Sequence, residues 1–350
     1  MNARFFTTIL AVTAAFAMAT AGCAKDQKST AVTEPVASEA PPAPLYAAFP
    51  SAANVVVGID VQGILASPLG QKIKPMLAQN TSLTKMNEAC GFDVLSKVET
   101  VSIGADTEKP DDVLVALRGF TGDDFKACAA GITAAGKTAT YEEDGQLAKV
   151  AFAESAAATS PKTTWIYWTD PRTLMFGEPA TGADGKTWIE GKAAASPKLA
   201  DSASFKSLLA DVDTSKHVWV AAFAEEQPID IAGHVQNLHG TVDVTEGLVI
   251  DFAVHYGSAD EAASAAKQIG MYKQMASSQP GIGPLAAKLS VTTEGSDMAI
   301  NGTWTAQEVE GVVQMMMMSF GAARQSAPAA GPAVEVPSQE APAPAATPTE

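Results

Sequence analysis

Four histidines carry the most versatile side-chain chemistry in this chain. His234 and His239 are five positions apart and lie beside Asp230, a grouping that raises the hypothesis of a metal site. A helix brings two ligands together at positions i and i+4, and no nearby cysteine or third histidine completes a set. His217 and His255 fall in expected strands and approach one another only through folding. We therefore expect exposed or core histidines, with no metal site and no cofactor.

Motifs for nucleotide binding, calcium binding and nucleophilic catalysis are incomplete. Residues 281–286 have the spacing of a dinucleotide fingerprint, but Pro280 precedes them and Pro284 interrupts the turn that would hold phosphate. Residues 211–222 begin like a calcium loop, yet Lys216 stands at the obligatory glycine position. Neither a Gly-x-Ser-x-Gly elbow nor a Walker sequence occurs. Residue types and spacing thus indicate a protein that is not an enzyme.

The N-terminus has the organisation of an export signal. Residues 1–4 include one arginine, and residues 5–19 form an apolar run without a charge. This run is shorter than the roughly 20 apolar residues that cross a bilayer. Small residues, Thr20, Ala21 and Gly22, then lead directly to Cys23. The pattern predicts a secretory signal peptide over residues 1–22.

The small residues before Cys23 resemble the lipobox of bacterial lipoproteins, with threonine at position 20 in place of the usual leucine. The resemblance implies cleavage before Cys23 and attachment of acyl chains such as palmitate, which would anchor the protein to a membrane. Several chains are needed for a stable anchor, since each buried CH₂ contributes about 0.8 kcal/mol. Ala24 follows the cysteine where an aspartate retains family members at the inner membrane. The resemblance therefore implies an outer-membrane location facing the periplasm; the alternative is an ordinary signal peptide with Cys23 incidental.

Export to an oxidising compartment gives the other two cysteines a structural role. Cys90 ends a helix-like segment, and Cys128 lies one turn into a helix that follows the strand at residues 113–117. Both helices can cover the same face of a sheet, so we expect a disulfide between them; two separate buried thiols are the alternative. The spacing is not Cys-x-x-Cys, which argues against a catalytic pair.

Composition separates a folded body from flexible flanks. The 350 residues are 47% hydrophobic and 18% charged, which excludes a wholly disordered chain. The formal charge of −16 argues against a nucleic-acid partner. Residues 23–45 are predicted to form a lipid-anchored flexible tether, and residues 322–350 a disordered tail rich in proline and alanine. Between them we expect two lobes, residues 46–180 and 198–321, with residues 181–197 connecting them.

The two lobes look like weak copies of one unit. Residues 113–152 and 248–303 both read as strand, helix, strand, tight turn and strand, with turns at Gly145 and Gly295. Ser258, with a glutamate three positions on, predicts the start of the second helix.

A further strand and helix precede each copy, at residues 55–77 and 217–235, and residues 164–176 read as a hairpin. Alternating apolar residues in the second lobe, at residues 248–254, indicate half-buried strands. The predicted fold class is α+β, with two weakly repeated lobes, each a mainly antiparallel sheet with helices on one face.

The last expected helix, residues 307–320, carries a broad apolar stripe. The stripe residues that would line an apolar groove for lipid or peptide are Val309, Val312, Met316, Met317 and Phe320. The alternative is a helix that simply packs on its sheet.

We expect a noncatalytic, lipid-anchored envelope protein that binds or supports another envelope component. A carrier or chaperone with an apolar pocket is the alternative, and an envelope hydrolase is the least favoured reading.

Overall fold

One antiparallel sheet organises the computed structural model, which describes residues 43–78, 80–153, 162–179, 183–223, 234–279 and 282–311. Within those residues the sheet has 12 strands in the order β11-β12-β10-β9-β8-β1-β2-β3-β7-β6-β5-β4. The strands are β1 (Val55–Asp60), β2 (Thr100–Asp106), β3 (Lys109–Arg118), β4 (Thr138–Asp144), β5 (Leu147–Ala153), β6 (Lys162–Asp170), β7 (Thr173–Glu178), β8 (Val218–Phe223), β9 (Val235–Asp243), β10 (Gly247–Tyr256), β11 (Ser290–Glu294) and β12 (Asp297–Thr305).

Helices lie before, between and after these strands. They are α1 (Val61–Ala66), α2 (Pro68–Leu77), α3 (Thr81–Cys90), α4 (Val94–Lys97), α5 (Gly122–Ala134), α6 (Gly185–Ala194), α7 (Ala203–Ala210), α8 (Ala259–Ser277) and α9 (Gly283–Lys288). A further helix, α10, begins at residue 306 and continues to the last described residue, 311. Two short 3₁₀ helices, Leu45–Ala48 and Leu199–Asp201, complete the described elements.

The predicted repeat is present in the topology. In each half, three neighbouring antiparallel strands are followed by a helix, α5 or α8, which carries the chain to an edge of the sheet. A hairpin then leads back from that edge. In the second half, β12 of the hairpin β11–β12 pairs directly with β10, whereas in the first half β6 and β7 separate the hairpin β4–β5 from β3. Gly145 and Gly295 occupy the two hairpin turns with φ of 63° and 59°, a conformation that glycine adopts without strain.

The two halves share one sheet because β1 pairs with β8 in antiparallel register, Val57 opposite Val220. The α+β class and the antiparallel arrangement are thus confirmed. Part of the predicted helix at residues 229–235 lies outside the described residues, and its last residue, Val235, begins β9.

Helices cover one face of the sheet along its whole length. Buried residues of α1 pack there on the first half, and those of α8 and α2 pack on the second. Among the described residues, the opposite face is covered over the first half and β8 alone, by both 3₁₀ helices, α6 and α7. Ile189 of α6 is fully buried in that layer, so the segment expected as a connection, residues 181–197, contributes to the core.

No described helix therefore covers this face of strands β9 to β12, and we call it the open sheet face. Its residues are Asn237, His239, Thr241, Asp243, Val249, Asp251, Ala253, His255, Ser290, Thr292, Glu294, Asp297, Ala299, Asn301 and Thr303. The alternation predicted in β10 explains this face, since Leu248, Ile250 and Val254 point to the helices and their neighbours point away. A sheet with one solvated face is a common antiparallel arrangement.

Candidate functional site

A cleft lies between α7 and the adjoining edge of the open sheet face. Its volume is about 640 Å³, and its helix wall includes Ser204, Ser207 and Asp211. Its strand wall is formed by Phe223, Asn237, His239, His255 and Asp297. Polar groups converging in a concave site are the usual starting point for a binding-site hypothesis.

Strand pairing places the strand-wall residues in two adjacent rows. Phe223, Asn237, His255 and Asp297 lie opposite one another in turn across β8, β9, β10 and β12. His239 lies in the next row, opposite Ala253. His239 and His255 are therefore diagonal neighbours on one face, a relationship that separates residues by roughly 7–8 Å. The two imidazoles thus border the same cleft.

His255 is oriented by a carboxylate. Its Nδ1 lies 2.6 Å from Asp297 Oδ1, and the Ser296 hydroxyl is 3.4 Å from the same nitrogen. Because a carboxylate oxygen only accepts a hydrogen bond, Nδ1 is the donor to Asp297 and Nε2 is the ring nitrogen that points away from this contact. In a Ser-His-Asp triad the serine and the aspartate contact different ring nitrogens. Ser296 and Asp297 share one nitrogen, so these three residues do not form a triad.

His239 contributes an unused ring nitrogen. Its Nδ1 is buried and has no hydrogen-bond partner among the described residues. Such groups are rare in folded proteins and call for a specific explanation, such as a bound water or ion.

The remaining histidines hold neighbouring elements together outside the cleft. His217 Nδ1 lies 3.0 Å from Asp243 Oδ1, and His234 Nδ1 lies 3.0 Å from Glu261 Oε1 on α8. Lys216 donates to Asp243 at 2.7 Å, and this hydrogen bond is the main cause that holds the pKa of the Asp243 carboxyl well below its usual range. Over the described residues, no three His, Cys, Asp or Glu side chains are grouped closely enough to hold a metal ion among themselves.

Of the predicted cysteine and groove residues, some lie within the described structure and others lie outside it. Cys90, at the end of α3, is joined by a disulfide to Cys128 in α5. Val309 of α10 is buried with Leu69 and Trp304 and so packs on the sheet. The other predicted groove residues, Val312, Met316, Met317 and Phe320, lie outside the described residues, as does Cys23. None of the described helices has both the length and the apolar character needed to cross a bilayer.

Spacing along the chain grouped His239 with His234, and the proximity of His239 to His255 was not predicted. The alternation of residue types in their two strands was the available signal. His239 shares a strand face with Asn237, His255 shares one with Ala253, and the other faces of both strands are apolar. The register that makes the histidines neighbours depends on strand pairing, which that alternation does not reveal.

Comparison with known proteins identifies similar structures only. No protein-family model and no curated protein matches the chain. Among solved structures, crystal form III of TP0453 is similar with a TM-score of 0.46 and 14% identity, covering 79% of this chain and 100% of that chain. Crystal form I of TP0453 has a TM-score of 0.42 and 11% identity, covering 79% of this chain and 98% of that chain. Similarity at this level leaves function to be argued from the site.

Proposed function

We propose that this protein is a noncatalytic, lipid-anchored component of the cell envelope that binds another envelope component through the open sheet face. The cleft between α7 and that face is the observation that carries the proposal. It gathers hydrogen-bonding side chains from three strands in a site with room for a ligand group. The acylated Cys23 would hold the body at the outer membrane, facing the periplasm, and the Cys90–Cys128 disulfide suits that oxidising compartment.

Binding is favoured over catalysis by the arrangement around His255. Asp297 orients the imidazole, but the neighbouring hydroxyl of Ser296 lies on the nitrogen that Asp297 already occupies. A nucleophile activated by this histidine would have to contact Nε2. The arrangement therefore suits recognition of a ligand better than attack on one.

The charge of the open sheet face favours a cationic partner. Asp251, Glu294 and Asp297 lie on it, and Asp211 borders the cleft from the helix side. No lysine or arginine occupies a position of this face in the described strands β9 to β12. An acidic surface speeds association with a basic partner and repels anionic ones. We expect the partner to present a positively charged polar segment.

Site-specific photo-crosslinking in the native envelope tests this proposal. A photoreactive residue at Val249 would lie on the open sheet face, where the side chain is 42% exposed. The matched control is Met86 on α3, which is 45% exposed and lies away from that face. We expect a crosslinked product from position 249 and none from position 86. Equal products at both positions, or a product from position 86 alone, would contradict binding through the open sheet face.

A carrier of apolar ligands is the second candidate, and one surface favours it. Met271, Tyr272 and Met275 on α8 are each more than half exposed, at 56%, 58% and 60%. Flexible methionines suit contact with varied apolar groups. If this surface carries ligand, Met271→Gln with Met275→Gln should abolish binding of a fluorescent fatty-acid analogue. Unchanged binding in that double variant would remove this surface from consideration.

A further inference from the structure

We propose that the cleft binds one divalent transition-metal ion, of the zinc, nickel or copper group, through the imidazoles of His239 and His255. This inference uses the cleft of the proposed function but does not depend on its partner. A failure to bind metal would leave the crosslinking result from the open sheet face unchanged.

The first argument is the placement of the two imidazoles. His239 on β9 and His255 on β10 are diagonal neighbours on the same face, and both border the cleft. At a separation of roughly 7–8 Å between such positions, two histidine side chains can reach a common ion. Both residues come from one antiparallel strand pair, and its hydrogen bonds fix the spacing of the two backbones.

The second argument is the orientation of His255. Histidines that bind metals usually donate the other ring N–H to a carboxylate, which fixes the tautomer and makes the ligating nitrogen more basic. Asp297 accepts this hydrogen bond at 2.6 Å, so Nε2 of His255 is the nitrogen that would bind the ion. The carboxylates of Asp297 and Asp211 at the cleft also lower the electrostatic cost of a divalent charge.

The third argument is the unsatisfied nitrogen of His239. No described residue forms a hydrogen bond with its Nδ1, which is shielded from solvent, so an ion in the cleft would bind at Nε2 instead. No hydrogen bond at Nδ1 therefore holds the ring in another orientation, and His239 can turn Nε2 toward an ion.

Imidazole selects the metal class. Neutral histidine nitrogens suit zinc, copper and nickel, whereas magnesium and calcium prefer oxygen ligands. Because the described residues provide no third close His, Cys, Asp or Glu, water completes the coordination. Water ligands leave positions open to a donor group from the binding partner.

Calorimetric titration of the tag-free protein with Zn²⁺, and separately with Ni²⁺, tests the proposal. We expect one saturable site per chain, weakened at least tenfold by His239→Gln and by His255→Gln. Asp297→Asn should weaken it 10–100-fold, as loss of an orienting carboxylate does in known sites. His234→Gln is the matched control, because His234 also contacts a carboxylate but lies outside the cleft.

Two outcomes would overturn the proposal: no saturable binding, or an equal loss of affinity in the His234→Gln control. Line broadening by Ni²⁺ in NMR spectra of the native protein provides a readout that needs no substitution. The imidazole signals of His239 and His255 should broaden first. First broadening at His217 or His234 would place the ion elsewhere and contradict the cleft site.

Discussion

Removal of the Cys90–Cys128 disulfide should destabilise the protein chiefly through its outer helical layer. The bond joins the last residue of α3 to α5, which packs on the sheet through Phe125. Cys90 is the one buried side chain of α3 among those described. Little apolar burial therefore holds α3 in place, so the disulfide contributes much of the stability of its position.

The expected magnitude follows from the sequence separation of 38 residues. In the chain-entropy model, closing a loop of that size removes about 13 cal/mol/K from the unfolded chain, or about 4 kcal/mol at 25 °C. With a urea slope near 3 kcal/mol/M, the unfolding midpoint should fall by about 1.3 M.

Urea unfolding of the oxidised protein, the reduced protein and the Cys90→Ala/Cys128→Ala variant measures this effect. The reduced protein and the variant should unfold together at lower urea, and reductant should leave the variant unchanged. Hydrogen exchange should show α3 losing protection before the β1–β8 junction does. If oxidised protein and variant unfold at the same midpoint, the disulfide does not constrain the fold and this reasoning is wrong.

Three other predictions concern packing, charge and the anchor. Gly131→Ala should lower the free energy of unfolding by about 1–3 kcal/mol, because the added Cβ would overlap the backbone of α3. Gly270→Ala in α8 adds a Cβ in open space and should raise the free energy of unfolding by up to about 1 kcal/mol. Thermal unfolding of the two variants should therefore show shifts in opposite directions. Asp243→Asn should lower the free energy of unfolding by on the order of 1 kcal/mol at pH 7, because it removes the ion pair with Lys216. The pKa of Asp243 is lower in the folded protein than in the unfolded chain, so its stabilising effect is present above the unfolded pKa of about 4 and is lost as the pH falls. The urea midpoints of the variant and the native protein should therefore converge on acidification. A difference in midpoint that stays constant with pH would contradict this role of Asp243. Cys23→Ser should release the body from membranes in cell fractionation, and unchanged retention would count against the anchor.

Local signals predicted the elements that depend on local chemistry. Ser258 accepts a hydrogen bond from the Glu261 backbone N–H at the start of α8, as the capping pattern indicates. Gly145 likewise forms its predicted turn between β4 and β5. In each case the stabilising partner lies within a few positions along the chain, so the sequence window contains the whole interaction.

Elements that depend on distant contacts were missed. Helix α6 contains two glycines, and much of its stability comes from burial of Ile189 under the sheet. Strand β2 mixes apolar residues with small and polar ones and is stabilised by pairing on both sides with β1 and β3. The β1–β8 pair joins residues more than 150 positions apart, and no local pattern encodes that register.

The candidate site shows the same division. The sequence predicts that His255 lies in a half-buried strand, and the structure places it there. The convergence of His255 with His239 and Asp297 requires two strand registers together with the position of α7. Those registers follow from packing of the opposite, apolar face, which carries no information about the chemistry of the polar one.

Intact-mass spectrometry of the mature protein, extracted from its own envelope, tests most directly the claim that this body works while held at a lipid surface. We expect a chain that begins at Cys23 and carries the added mass of acyl chains. A chain that begins at another residue, with the Cys23 sulfur absent or unmodified, would contradict that claim.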